Sequence, residues 1–260
     1  VRDGMTYGEY LQIPQLLQLQ RLQSAGEHDE LLFITIHQVY ELWFQQLLAE
    51  VDRLAEHLDV DDLPRAGHTL TRVRTILKTM VAQLDVLETM TPLEFLSFRD
   101  FLGTSSGFES VQFRELEFLL GRTARGHLDR FEADPGYPAL LARWEGPSLW
   151  DHVLALLARR GHDLPDDVLL RDVTEPVEPH PSVQDALVTV YREQHDLSTL
   201  CEQLTDLDEG LQEWRYRHVM MVMRTIGGRP GTGGSSGVEY LRSTLFQPVF
   251  PDLWEIRSRL

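Results

Sequence analysis

"EHDELLFITIHQVYELWFQQLLAEVDRLAEHL", residues 27 to 58, is the stretch whose reading decides the fold. Its apolar residues Leu32, Phe33, Ile36, Tyr40, Trp43, Phe44, Leu47, Leu48, Val51 and Leu54 recur mostly at intervals of three and four, the period of one helix face. Glu27, Asp29 and Glu30 crowd the start, where a helix dipole favours negative charge. Neither glycine nor proline interrupts the run after Gly26. The β-branched patch from Ile34 to Ile36 is too short to overturn that period. One long, buried helix is expected.

The same period continues on both sides. Residues 65 to 90, "RAGHTLTRVRTILKTMVAQLDVLETM", read as a second long amphipathic helix after Pro64. Thr91-Pro92 opens a short helix through Phe101, and "GTSSG" at 103 to 107 breaks the chain. "FESVQFRELEFLLG" reads as a helix ending at Gly121. "YPALLARW" and "SLWDHVLALLARRG" are shorter helices, and "LPDDVLLRDVTEPVEPHP", with four prolines, is a connection. Helix resumes from Ser182 to about Ile226, with Gly210 as a candidate kink or join. Upstream, "TYGEYLQIPQLLQLQ" sets Tyr7, Tyr10, Leu11 and Leu17 at spacings of three, one and six. No alternating strand pattern, internal repeat or low-complexity tract is found. The expected fold class is all-α, long packed helices in a single domain over residues 1–260. The helices on either side of the proline-rich connection are too few for independent cores.

Composition narrows the function. The chain has 260 residues, 42% apolar and 25% charged, with a formal charge of −17. Such a charge repels nucleic acid and anionic membranes, so no nucleic-acid or membrane partner is expected. No apolar run reaches the length of a membrane span. Residue 1 is valine rather than an initiator methionine, and no secretory-signal pattern opens the sequence. Cys201 is the one cysteine, which rules out an internal disulfide and fits a reducing, cytoplasmic setting.

Of ten histidines, His28, His57, His68, His127, His152, His162, His180 and His195 sit beside charges or near helix ends and read as solvated or capping. His37 and His218 differ. His37 lies in one of the most apolar windows of the chain, where an unpartnered imidazole would cost roughly 2–7 kcal/mol. Either a backbone carbonyl satisfies it, as in an ordinary core, or Glu41, one turn on, does so. His218 stands in "EWRYRHVMMVM", with Trp214 one turn before it and no cysteine or second histidine close by for a zinc site. A lone imidazole in a methionine-rich setting suits a haem axial ligand; polarizable packing of an ordinary core helix is the competing reading. "GGRPGTGGSSG", 227 to 237, lacks the Walker pattern and is either a linker or a loop able to close around a ligand, with Thr232, Ser235 and Ser236 as polar handles. In "EFLSFRD", Arg99 follows Phe95 by four residues, either snorkelling or poised as a carboxylate clamp in an apolar pocket.

Four segments together resemble the tryptophan 2,3-dioxygenase family: "TYGEYLQIPQLL", "ELLFITIHQVYELWFQQLLAEVD", "VLETMTPLEFLSFRDFLGTSSGFESVQFRELEFLLG" and "WRYRHVMMVMRTIGGRPGTGGSSGVEYLRSTL". They run in order over almost the whole chain, most weakly over 122 to 210. The resemblance implies haem b, with its iron held by His218, and a glycine-rich loop including Gly233 folded over haem and substrate. It implies His37 at the indole N–H, Phe33 and Phe95 against the ring, and Arg99 on the substrate carboxylate. Thr232 would meet the ammonium group, and Ser106 lies in the matching turn beside the pocket. Tyr10 and Leu11 match residues lent by a neighbouring subunit, so residues 1–20 are expected to reach across a homotetramer. There are two departures: Leu84 stands where members tend to carry an aromatic, and Arg229-Pro230 where family loops often carry a lysine.

The implied reaction adds both atoms of O2 across the indole C2–C3 bond of L-tryptophan, or of a substituted tryptophan, giving N-formylkynurenine. Two rivals share these residues in whole or in part. One is a tailoring monooxygenase that inserts a single oxygen and leaves the ring closed. The other is a haem sensor or carrier without turnover, against which Arg99 and Thr232 argue, since a diatomic gas needs no amino-acid clamp.

Overall fold

The computed structural model describes residues 4–123, 125–232 and 237–260. Among these every regular element is helical. Two short helices, α1 (Tyr7–Tyr10) and α2 (Ile13–Leu16), precede α3 (His28–Asp59) and α4 (Leu63–Leu87). α5 (Pro92–Phe98) runs into a 3-10 turn, Arg99–Leu102, and a second turn, Gly107–Glu109, leads to α6 (Val111–Leu119). α7 (Arg125–Leu128), α8 (Tyr137–Trp144), α9 (Leu149–Arg159) and α10 (Asp166–Leu169) fill the middle of the chain. α11 (Pro181–Glu193), α12 (His195–Ile226), α13 (Val238–Ser243) and α14 (Pro251–Glu255) complete it.

α4 is the central element, packed along both α3 and α12. Its buried stripe, Leu70, Val73, Leu77, Met80, Val81 and Leu84, repeats at threes and fours as a helix seam requires. Two side-chain hydrogen bonds lock α3 onto it. The Tyr40 hydroxyl donates to the Met80 carbonyl at 2.7 Å, and Gln83 Nε2 donates to the Ile36 carbonyl at 3.0 Å. Between α3 and α12 the spacing is filled by rings, with Tyr40 and Phe44 each 6.3 Å from Trp214. A smaller apolar cluster, Phe118, Leu128, Phe131 and Leu140, sits beside the main core.

Several sequence expectations need correction. The helix expected to join near Gly210 breaks at Gln194 instead, between α11 and α12. Gly210 lies inside α12, where a Cβ would be 3.7 Å from Leu77, an ordinary contact, so the position does not demand glycine and the helix runs through it. Arg99 is the C-cap of α5, still in helical conformation with its N–H donating to the Phe95 carbonyl, so it follows Phe95 by one helical turn as the four-residue spacing predicts. The helix before Gly121 starts at Val111, since Ser110 caps it by accepting from Phe113 N. His57 is buried rather than solvated.

The C-terminal segment is latched to α12 by one carboxylate. Asp208 is fully buried and accepts from Val249 N at 2.9 Å, Phe250 N at 3.2 Å and Trp254 Nε1 at 2.9 Å. Removing it strands three donors, each worth about 1–3 kcal/mol if left buried and unpaired. We expect Asp208→Ala to lower unfolding stability by about 2–4 kcal/mol, measured as a denaturant midpoint. The Val249 and Phe250 amides should exchange with solvent faster in the variant. Unchanged protection there would show that the latch does not hold the segment.

Candidate functional site

A cavity of about 260 Å³ opens between α3, α5, α6, α12 and α13. His37, Phe95, Arg99, Ser106, His218 and Thr232, picked from separate stretches of sequence, all line it. Phe33 backs the site. Its ring is 4.1 Å from that of His37, 5.8 Å from Phe95 and 5.6 Å from Phe98. The i, i+4 spacing of Phe33 and His37 stacks them on one face of α3. Tyr10 and Leu11 are exposed on α1 and its C-cap and do not line the cavity of their own chain. Gly233, Ser235 and Ser236 lie outside the described residues.

The hydrogen bond of His37 fixes its chemistry. Nδ1 donates to the Phe33 carbonyl at 2.7 Å. A carbonyl only accepts, so the ring proton sits on Nδ1 and Nε2 keeps a free lone pair. Glu41 is not the partner; it accepts from Gln112 Nε2 at 2.9 Å. His37 is open to the cavity, yet crowding by protein atoms holds its pKa below the ordinary value, against smaller opposing effects of Phe33 and Glu41. The neutral form is therefore favoured, with Nε2 the free acceptor of a side chain that lines the cavity.

His218 has no hydrogen bond or ion pair among the described residues. Its ring stacks on Trp214, with centroids 5.5 Å apart at 15°. Burial, then the nearby His37, pushes its pKa down to about 4. A neutral, unpartnered imidazole is a ready metal ligand. No group of three or more His, Cys, Asp or Glu among the described residues could hold a bare metal ion. A metal here must bring its own remaining donors.

One wall is cationic in a way the sequence reading missed. Arg114, Glu117 and Arg215 are all buried and line the cavity, and Glu117 pairs with both arginines. Burial lowers the Arg215 pKa to about 10, with Arg122 acting in the same direction. Arg114 also points at His127 Nδ1, 3.4 Å away, while His127 Nε2 is 2.9 Å from the Tyr240 hydroxyl. A guanidinium can only donate, so Nδ1 accepts and Nε2–H donates to Tyr240. The Tyr240 hydroxyl hydrogen is then left for a ligand acceptor in the cavity that Tyr240 lines. The available signal was the alternation of charged Arg114, Glu115 and Glu117 with apolar Phe113, Leu116 and Phe118 in "FRELEF".

Of the glycine-rich loop, Gly231, Thr232 and Gly237 line the cavity. Arg99 donates to the Pro230 carbonyl at 2.7 Å, and the Thr232 hydroxyl donates to the Ser105 carbonyl at 2.5 Å. Gly227 ends α12 with φ +60°. At Gly237, φ is +63° and a Cβ would lie 2.9 Å from the Arg229 carbonyl, so only glycine permits this closure. Arg99 thus spends one nitrogen on the loop, and Leu84 lines the cavity.

A family model described as tryptophan 2,3-dioxygenase matches residues 1–132 and 179–260. A protein named tryptophan 2,3-dioxygenase from Herpetosiphon aurantiacus is 54% identical over 259 residues, covering 99% of each chain. One of the same name from Anaeromyxobacter dehalogenans is 52% identical, covering 99% of this chain and 97% of its own. A third from Bacillus cereus is 43% identical over all of this chain and 94% of its own.

The buried neutral state of His218 has a pH consequence in the metal-free chain. The unfolded chain binds the proton below about pH 6.5, whereas the folded chain resists it until about pH 4. Its contribution therefore leaves stability untouched above the unfolded value and erodes it as pH falls between the two. The loss is at most about 1.4 kcal/mol per pH unit in that window. His218→Leu should flatten this acid limb. Parallel stability curves for parent and variant between about pH 7 and about pH 4 would contradict the assignment.

Proposed function

The chain belongs to the tryptophan 2,3-dioxygenase family, and we propose that its main cavity binds haem b and L-tryptophan and opens the indole ring with O2 to give N-formylkynurenine. One observation carries the reading. Two neutral imidazoles from different helices, His37 and His218, line a single cavity, one with a free acceptor nitrogen and the other with no hydrogen-bond partner among the described residues.

The residues fit haem. His218 offers the axial nitrogen, and the metal needs no further protein donors because the macrocycle supplies them. Arg114, Arg215 and Tyr240 offer cationic and hydroxyl donors suited to haem carboxylates. When bound, haem supplies the iron at which dioxygen is activated. The protein's part is orientation. His37 Nε2 accepts the indole N–H, and Phe33 and Phe95 hold the ring. Arg99 takes the substrate carboxylate with the nitrogens it does not spend on Pro230, and Ser106 and Thr232 close the turn and loop around the amino-acid end. Gly233 belongs to the same loop.

We read residues 1–260 as one domain working in a homotetramer. Tyr7, Tyr10 and Leu17 are 77%, 74% and 69% exposed, an apolar display on short helices that suits docking Tyr10 and Leu11 against a neighbouring chain. No helix among the described residues is long and apolar enough to cross a membrane. A cytoplasmic setting fits the single buried cysteine.

Haem-reconstituted protein, reduced anaerobically and given L-tryptophan and then air, should yield a product two oxygen atoms heavier by mass spectrometry. A product with one added oxygen would favour the tailoring monooxygenase, and a stable haem protein without turnover would favour the sensor. Arg99→Lys should raise the KM for tryptophan roughly ten- to a hundredfold at unchanged haem content, because a point charge does not reproduce the guanidinium fork. Tryptamine, which lacks the carboxylate, should bind both proteins alike. Equal KM values for tryptophan would remove Arg99 from the substrate site.

A further inference from the structure

A second cavity, about 320 Å³, lies away from the site described above, between α9, α10, the 171–180 connection, α11 and the start of α14. Most of its wall falls within residues 133–178, between the two stretches that the family model matches. Its floor is apolar: Trp150, Leu154, Val168 and Val183 are all buried. Its rim is acidic, with Asp167, Asp172, Glu175 and Glu178 in the lining. The one arginine there, Arg171, is committed elsewhere. It forms a fork on Asp151 at 2.6 and 2.8 Å and donates to the carbonyls of Asp172 and Glu175. The His180 ring accepts from Ser182 N as a helix cap and lies 3.9 Å from Asp167.

The decisive group is Asp252, which is 1% exposed and also lines this cavity. Its Oδ1 accepts from His180 N at 2.8 Å and from Gln184 Nε2 at 3.1 Å. Its Oδ2 is buried and has no partner among the described residues. A buried carboxylate oxygen left without a donor is costly, and it calls for a cation or a proton. Burial raises the Asp252 pKa, with the His180 N–H and Gln184 opposing. A bare divalent ion is a poor match, since no group of three or more His, Cys, Asp or Glu among the described residues converges on one point. The apolar floor also asks for carbon.

We propose that this second cavity binds a small organic ammonium ion, its N–H donating to Asp252 Oδ2 and its hydrocarbon part lying on Trp150, Leu154 and Val183. The acidic rim draws the cation in, and the floor selects an alkyl amine over an inorganic ion. The occupant would bear on the C-terminal segment, because Asp252 follows by two residues the Phe250 amide that Asp208 latches to α12.

The test is calorimetric titration of the purified full chain with n-butylammonium chloride at constant ionic strength, with excess L-tryptophan occupying the main cavity. Saturable one-to-one binding is expected, with n-butanol weaker by roughly ten- to a hundredfold, the worth of a charge-assisted hydrogen bond. Asp252→Asn keeps an Oδ1 acceptor for His180 and Gln184 but replaces the free oxygen by a donor, and it should weaken the amine by a similar factor. Val183→Phe, which fills the floor and leaves the carboxylate, should block amine and alcohol alike. No saturable heat from the parent chain, equal affinity for amine and alcohol, or undiminished amine binding in Asp252→Asn would each overturn the proposal. None of these outcomes depends on haem or turnover, so failure here leaves the reading of the main cavity standing.

Discussion

Everything at the main site depends on α4 being buried between α3 and α12. Neither outer helix could hold its histidine opposite the other without that shared partner. The apolar seam of α4 supplies the attraction, and the bonds from Tyr40 to Met80 and from Gln83 to Ile36 fix the register of α3 upon it. Trp214 then acts as a spacer, meeting Tyr40 and Phe44 on one side and stacking on His218 on the other. The packing that stabilises the fold is also the packing that keeps space open beside His37 and His218.

The electrostatics of the molecule divide into outside and inside. The chain carries −17 overall, yet the main cavity is lined by Arg99, Arg114 and Arg215 against Glu41 and Glu117. Net charge governs long-range encounters, whereas a cavity answers to the groups that face it. Low local polarizability works on each class in its own direction. It keeps both histidines neutral, lowers the Arg215 pKa to about 10 and pushes the Tyr40 hydroxyl up to about 12. Neutral imidazoles beside cationic donors make a site suited to a large apolar ligand with carboxylate groups.

Hydrogen-bond direction carries much of the functional argument. A carbonyl at Phe33 sets the tautomer of His37, and a guanidinium at Arg114 sets that of His127. In each case the imposed proton position frees one atom, His37 Nε2 or the Tyr240 hydroxyl hydrogen, to meet something in the cavity. The loop's described part is governed similarly: Arg99 donates to the Pro230 carbonyl and Thr232 to the Ser105 carbonyl, which holds residues 230–232 beside the cavity. Closure at Gly237 leaves no room for a Cβ.

By itself the sequence missed the short helix α10, inside the stretch read as a connection. It determined the helical period, the extents of α3, α4, α8 and α9 to within about three residues, and the two histidines that differ from the other eight. Those are local properties: apolar spacing, caps and breakers act within a turn or two of the chain. The motifs also carried the family likeness, because several long segments in one order are specific in a way that no short pattern is. Only the tertiary structure decided which of the sequence's open alternatives held. His37 bonds to a carbonyl and faces the cavity as well, a combination invisible in a list of neighbours. The break falls at Gln194, whose backbone is non-helical, while the chain runs as helix through Gly210. Arg114, His127, Arg215 and Tyr240 come from four elements and became a wall only when folding brought them together. Nothing in the sequence singled out Asp252; burial in the fold leaves its Oδ2 without a donor among the described residues. Burial and partnership are properties of contacts distant in sequence, and one strand of letters holds no distances.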